Sequence, residues 1–557
     1  MSSTKLKKIT RQYVGEIPII QNIAEQMGIR EIFSNQIISH GNEKVHSVDS
    51  LMLLIYNIAC GRQPLYELEQ WVNKMDPRMF KDADFGDGKF NDDRFGRALD
   101  KLYHADRASL MTEIVIKTIN AFDIKLEQFH NDSTSVKAYG KIPGKTKSGL
   151  ELKQGNSKDH RPDLKQLVYC LTVSADGFVP VHFKTYSGNR TDDTTHIETW
   201  EALRKLVGRD DFTYIADCKV CTDKQLSHIV SNNGKVITIM PETWSEVKQF
   251  CDGLRKQSKP KKVILRRQNA QNKNKHDVFS CFSGNYQTHK RGYTIYWMHS
   301  NEKEQQDFKR RQCKLEKVEK SFEELIPKLN KRNLKSRKNI AQRVEQILEK
   351  YKMTPFFETE IKEKQIRYKV QSGKGRPGPN TKYKTLVETK YSFSWVQNKK
   401  ALKMEKNVDG IFPLLCTDPN IGCKEAFKAY KYQPRLEKRF NQFKSVHHAA
   451  PLLFKNIKRV EAIMFLFFIA LMIQALIERK VRRNMVENEI DKLPIYPEHR
   501  VAYHPTTAKI FDRFSDISTY LLKVNNTVTE QLKDSLDEIH LTILDLLQIT
   551  PNQYWPS

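Results

Sequence analysis

Two acids are placed for chemistry. Asp132 follows an alternating apolar–polar run over residues 126–131, the period of a half-buried strand. Asp217 closes a second such run, residues 212–217. A carboxylate carried by a strand into basic surroundings can hold a cation or act as a base. Taken alone, each is more commonly a solvated strand-end Asp. A Gly- and Lys-rich loop over residues 140–158 follows Asp132 and supplies the basic surroundings. His130, two residues from Asp132, reads as a satisfied strand histidine. Cys218-x-x-Cys221 is a lone thiol pair without the second pair or the histidines that a zinc site needs.

These acids need a sheet to bring them together. Further strand signals fall at 166–174, 179–186 and 235–240, and helical spacing at 194–207 and 222–230. Asp176-Gly177 between the first two of these strands is a hairpin signal. Three early strands followed by alternating helix and strand give a mixed α/β sheet. Sites in such sheets gather at the carboxyl ends of neighbouring strands. Asp132 and Asp217 therefore meet if the first and fourth strands lie side by side.

The rest of the chain is organised around that sheet. Its 557 residues are enough for about two to four domains. Residues 1–123 carry helical spacing and predict an all-α N-terminal domain for DNA-end binding or multimerisation. Residues 245–400 hold 39 Lys and Arg against 16 Asp and Glu, which is +23 of the chain's formal +28. A whole segment this basic is suited to a phosphate backbone. Residues 409–416 look like a return to the sheet, and residues 424–444 like a helical segment with Leu436, Phe440 and Phe443 on one face. Pro434 fits the first position of a helix. The C-terminal region, 481–557, reads as helical.

Composition narrows the class. Nine scattered cysteines, an odd number, fit reduced thiols in a cytoplasm and not a disulfide framework. No apolar segment follows the basic N-terminus, so no signal peptide is expected. The apolar run 462–477 is 16 residues long and carries Gln474. A membrane span needs about 20 apolar residues, so this run reads as a buried core helix, with no membrane partner.

With Glu437 added on a helix after the basic segment, the pattern resembles the DDE transposases of bacterial insertion sequences. It is most similar to the branch with an insertion between the second Asp and the Glu, and with a Tyr-x2-Arg-x3-Glu-x6-Lys signature. Here the aligned residues are Tyr430, Gln433, Glu437 and Lys444, so Gln433 stands where the signature has Arg, with Arg435 two residues later. Residues 155–166, 187–192, 214–217 and 91–100 are also similar to family segments.

The resemblance implies a ribonuclease-H-like catalytic core at 124–244 and 401–480 with a mixed sheet. A basic α+β insertion at 245–400 would interrupt it, with the all-α domain before and the helical tail after. It implies Asp132, Asp217 and Glu437 as catalytic and metal-binding residues for two Mg2+ ions (Mn2+ able to replace them), with Asp132 bridging. Tyr430, Gln433 and Lys444, together with Lys158, Arg161 and Lys165, would contact DNA phosphates. Trp244 and Trp395 would be candidates for stacking on a base. The expected activity is metal-dependent endonuclease cleavage and strand transfer in DNA transposition, a form of DNA recombination. The DNA-binding partners would be the element's terminal inverted repeats and a target duplex. A homodimer on DNA, cytoplasmic and nucleoid-associated, is expected. The rivals are a ribonuclease-H-like nuclease without joining activity and a catalytically silent DNA-binding protein descended from a transposase.

Overall fold

A computed structural model of the protein describes residues 7–38, 45–80, 89–140, 142–155, 161, 163–190, 194–269, 272, 274–431, 434–450, 454–524 and 527–556. The chain forms two compact units, one of Met1–Thr238 with Phe427–Ser557, the other of Ile239–Ala426.

In the first unit, β1 (Lys7–Tyr13) precedes helices that include Ile17–Gln26, Ser47–Ala59, Asp92–His104 and Arg107–Phe122. The sheet of this unit then begins. Strands β2 (Gln128–Lys137), β3 (Gln166–Ser174) and β4 (Pro180–Ser187) run antiparallel, and β5 (Thr213–Ile215) and β6 (Lys235–Ile239) continue parallel beside β2. Their order is β4-β3-β2-β5-β6. The first and fourth strands of the sequence reading, β2 and β5, are thus neighbours.

The β3–β4 turn shows why Asp-Gly is needed there. Gly177 has φ +76°, and a Cβ on it would stand 2.6 Å from the Arg479 side chain. The Arg479 guanidinium donates to the carboxylate of Asp176 and to the carbonyls of Phe122 and Asp123.

The apolar run expected as a core helix belongs to the helix Ile457–Glu487, and residues 462–477 are buried throughout. It packs on the helices Ser47–Ala59 and Asp92–His104 and on β4. The Phe468 ring stacks on Phe183 of β4 at 4.8 Å. This helix is long and apolar enough to cross a membrane, but its apolar window is wholly buried inside the protein. It also runs through residue 480, so the expected core and tail share one element.

The second unit has four antiparallel strands: β7 (Lys261–Gln268), β8 (His276–Phe282), β9 (Thr294–Ser300) and, after a long excursion, β12 (Ile411–Cys416), which pairs with β9. The excursion holds the helices Asn301–Glu323 and Arg337–Tyr351, followed by a two-stranded ribbon, β10 (Phe357–Gln371) and β11 (Tyr383–Gln397). β11 is one continuous strand of 15 residues.

Two expectations fail. The N-terminal region is not all-α and the C-terminal region is not all helical. β1 pairs with β13 (Ser518–Val524), which pairs with β14 (Thr527–Lys533), in a separate three-stranded sheet. Most of β1 is polar and its partner lies some 500 residues away, so no local period could reveal it. β13 and β14 did carry a local signal, β-branched and aromatic residues either side of residues 525–526.

Candidate active site

The parallel ladder between β2 and β5 sets the position of both aspartates. Its partners are Gln128 with Thr213, Phe129 with Tyr214 and His130 with Ile215. Asp132 stands two residues beyond His130, and Asp217 two residues beyond Ile215. Both acids therefore leave the ladder at the same level. The expectation that the first strand ends near Asp132 is corrected: β2 continues to Lys137, paired with β3 along its length. The run Asp132-Ser133-Thr134-Ser135 looked like a strand end because it is polar. Its residues are nonetheless largely buried, and the β-branched Thr134 and Val136 suit a strand. Asp132 is mid-strand toward β3 and past the strand end toward β5.

Each carboxylate has a local hydrogen bond that orients it. Asp132 accepts the Ser133 N–H at 2.7 Å. Asp217 accepts the Lys219 N–H at 3.0 Å and so caps the short 3-10 turn Cys218–Val220. The Thr238 hydroxyl donates to the Asp217 carbonyl at 2.8 Å, tying this segment to the end of β6. Asp217 is 40% exposed, and His196 Nε2 lies 4.0 Å from its Oδ1. His196 Nδ1 and the Tyr214 hydroxyl are 3.0 Å apart. Burial pushes the Tyr214 phenol up, and the charges of Asp217 and Asp132 add to the shift.

Glu437 arrives from the other end of the chain. It lies in the first turn of the helix Pro434–Asn441, which packs on β2. Leu436, Phe440 and the following Phe443 are buried, the face that the sequence marked, while Glu437 is exposed. Phe443 stacks on Tyr169 of β3 at 4.4 Å. It belongs to the π-helical turn Gln442–Val446, which carries the half-buried Lys444.

Arg439 fixes this helix further, and nothing in the sequence singled it out. Its guanidinium donates to the carbonyls of Phe178 and Gly177 at 3.2 Å and pairs with Glu478 of the core helix at 3.1 Å. Burial pushes the Glu478 carboxyl up, yet Arg439 and Arg482 outweigh it and hold the group below its ordinary value.

Tyr430 joins the three acids. It lies on a helix of its own, Cys423–Lys431, and Pro434 opens the next one. Its phenol is pushed well up, first by burial and then by the charges of Asp217, Cys218, Asp132 and Glu437.

The remaining candidates scatter. Gln433 and Lys158 lie outside the described residues. Arg161 is exposed and held by Asp163 at 2.7 Å; Lys165 is exposed at the start of β3. In the second unit Trp244 is half-buried, and Trp395 packs in an aromatic core with Phe322 and Phe393 at 5.3 and 5.6 Å. His130 is fully buried and bonded to Gln128.

Among the described residues no group of three or more His, Cys, Asp or Glu side chains is placed to hold a metal ion. The oxygen donors of Asp132 and Asp217 still suit a hard cation. Mg2+ keeps several waters and is commonly bound through one or two carboxylates.

Residues 9–116 match a family model described as a domain of unknown function, DUF4277. No curated protein matches the chain. Among solved structures, the chain is similar to a piggyBac transposase synaptic complex with hairpin DNA, at 10% identity and a TM-score of 0.33, over 82% of this chain and 72% of that one. A likeness of this size fixes neither the fold nor the chemistry.

Proposed function

We propose that this chain is a DDE transposase that cuts duplex DNA at the terminal repeats of its element and joins the ends to a target. Its catalytic centre is Asp132, Asp217 and Glu437 on a ribonuclease-H-like core. The observation that carries the reading is that Asp132 and Asp217 leave one parallel ladder at the same level, while the helix of Glu437, 305 positions beyond Asp132 in sequence, packs on the same strand β2. The Tyr430 phenol, pushed up first by burial and then by charges that include all three acids, supports it.

Asp132, Asp217 and Glu437 would hold divalent ions, Mg2+ or Mn2+, whose chemistry is activation of water and stabilisation of the leaving oxygen. The chain's own groups do the rest. Tyr430 stays protonated at neutral pH, so it donates a hydrogen bond to a phosphate oxygen and is not a nucleophile. Lys444, with Arg161 and Lys165, positions backbone phosphates. Arg439 holds the Glu437 helix against the β3–β4 turn, which sets how far Glu437 reaches toward β2. Two copies, one on each element end, fit the need to process both ends together.

The test is Mg2+-dependent cleavage of a duplex from the flanks of the chain's own gene, comparing the native protein with Glu437→Gln. Loss of cleavage with binding kept supports the assignment. Equal cleavage by both removes Glu437 from the centre. Hydrolysis without joined product means a nuclease. Tight binding with no cleavage by either protein means a silent DNA-binding descendant.

A further inference from the structure

Among the described residues, the ribbon β10–β11 is anchored at its base alone. Phe357 and Phe393 pack edge-on against Phe322, and Asn330 bonds both the N–H and the carbonyl of Tyr391. Beyond Lys364 and Tyr391 the ribbon continues to residue 371 and back from 383, with no third strand among the described residues. Fifteen residues per strand make it about 50 Å long. Most side chains of its outer half are exposed and none is buried, on either face, with Tyr383 at 52% and Val387 at 54%.

The charge of that outer half is almost all of one sign. Residues 364–387 contain seven cations, Lys364, Arg367, Lys369, Lys374, Arg376, Lys382 and Lys384, and no Asp or Glu; Glu388, opposite Ile366 and 3.9 Å from Lys390, is the one acid beyond Tyr391. The register puts Arg367 and Lys369 on one face, and Lys364 and Lys384 on the other. A ribbon lying flat on a charged surface needs cations on one face. A ribbon lodged in a groove has a phosphate strand on each side, and cations on both faces meet both. The tip, Arg376-Pro377-Gly378-Pro379, offers a guanidinium and two rigid apolar rings. Grooves of duplex DNA admit two-stranded ribbons, and minor-groove binders use Arg with apolar wedges, Pro among them, to unstack and kink a base step.

We propose that the outer half of β10–β11 is an arm that lies in a groove of duplex DNA, its cations on the two phosphate walls and its Pro377–Pro379 tip wedged in the minor groove to bend the duplex. The proposal rests on the reading of DNA as the partner and adds the element, the groove and the deformation.

The test uses the full chain on an AT-rich duplex labelled at both ends for energy transfer. In the variant K364Q/R367Q/K369Q/K382Q/K384Q, the plot of log affinity against log salt flattens by about 4 to 5, since each phosphate contact contributes roughly 0.9. In P377A/P379A the salt slope is kept and the bend is lost. Netropsin, which fills AT minor grooves, blocks the bend of the native protein. Circular dichroism and melting match the native protein, because these side chains are outside the core. An unchanged slope in the five-fold variant, an unchanged bend in the proline variant, or tighter binding to an RNA duplex of the same sequence overturns the arm. The acid variants read the enzyme separately. A flattened slope in a protein that never cleaves DNA sinks the transposase and keeps the arm, whereas an unchanged slope with cleavage abolished by Asp132→Asn does the reverse.

Discussion

The β2–β5 ladder and the β10–β11 ribbon both carry charge on strands, and they do so in opposite ways. In the ladder, two acids stand at one level because buried strands fix them, with Phe129, Tyr214 and Ile215 fully buried below. In the ribbon, seven cations ride on a backbone that, among the described residues, packs in a core only at its base. Precision needs a packed core around it, since a shift of about 1 Å costs a catalytic constellation much of its rate. Long-range attraction to phosphates needs only density of charge and reach. The same polymer thus holds a few charges rigidly and many loosely.

Breaking the rigid side has the largest effect. Asp132→Asn or Asp217→Asn is expected to lower Mg2+-dependent cleavage by at least roughly 10²–10³-fold, as loss of a preorganised electrostatic group does, with DNA affinity changed little. A ribbon-neutral variant is expected to show the inverse. If both classes of variant lose binding and cleavage together, the contrast between the regions collapses.

Arg439→Ala comes next. It leaves the buried Glu478 with Arg482, 3.3 Å away, as its remaining cation beside the Thr507 N–H, and removes the donors to Gly177 and Phe178. A loss of about 3 kcal/mol in folding stability is expected by denaturant titration, together with reduced cleavage from the loosened Glu437 helix. Native cleavage in this variant would show that the helix needs no such anchor.

The same pair sets a pH effect. Glu478 has a folded value below its ordinary 4.5, so its contribution is present above about that pH and is lost as pH falls through the lower folded value. Glu478→Gln is expected to flatten stability against pH below 4.5 and to leave the profile above it parallel. An unaltered acid limb would mean that other carboxylates carry it.

The smallest effect is a single ribbon cation. Lys369→Gln is expected to reduce the salt slope by about 0.9 and to leave cleavage at low salt intact. A larger loss would show that the ribbon places its charges as rigidly as the ladder does.

Much of this molecule was legible in the chain. β3 was read to the residue, the Asp-Gly turn, the buried core helix and the Leu436–Phe440–Phe443 face followed from local periods, and the basic excess of 245–400 was a matter of counting. These features are local, because side-chain alternation and turn chemistry act over a few residues. What lay outside local pattern was missed: the pairing of β1 with β13, the continuation of β2 past Asp132, the separate helix under Tyr430, and Arg439. By itself the sequence determined which residues could carry charge, alternate or turn. Only the tertiary structure decided which of them stand together, since register, helix docking and the burial of Arg439 against Glu478 depend on contacts between segments far apart in the chain.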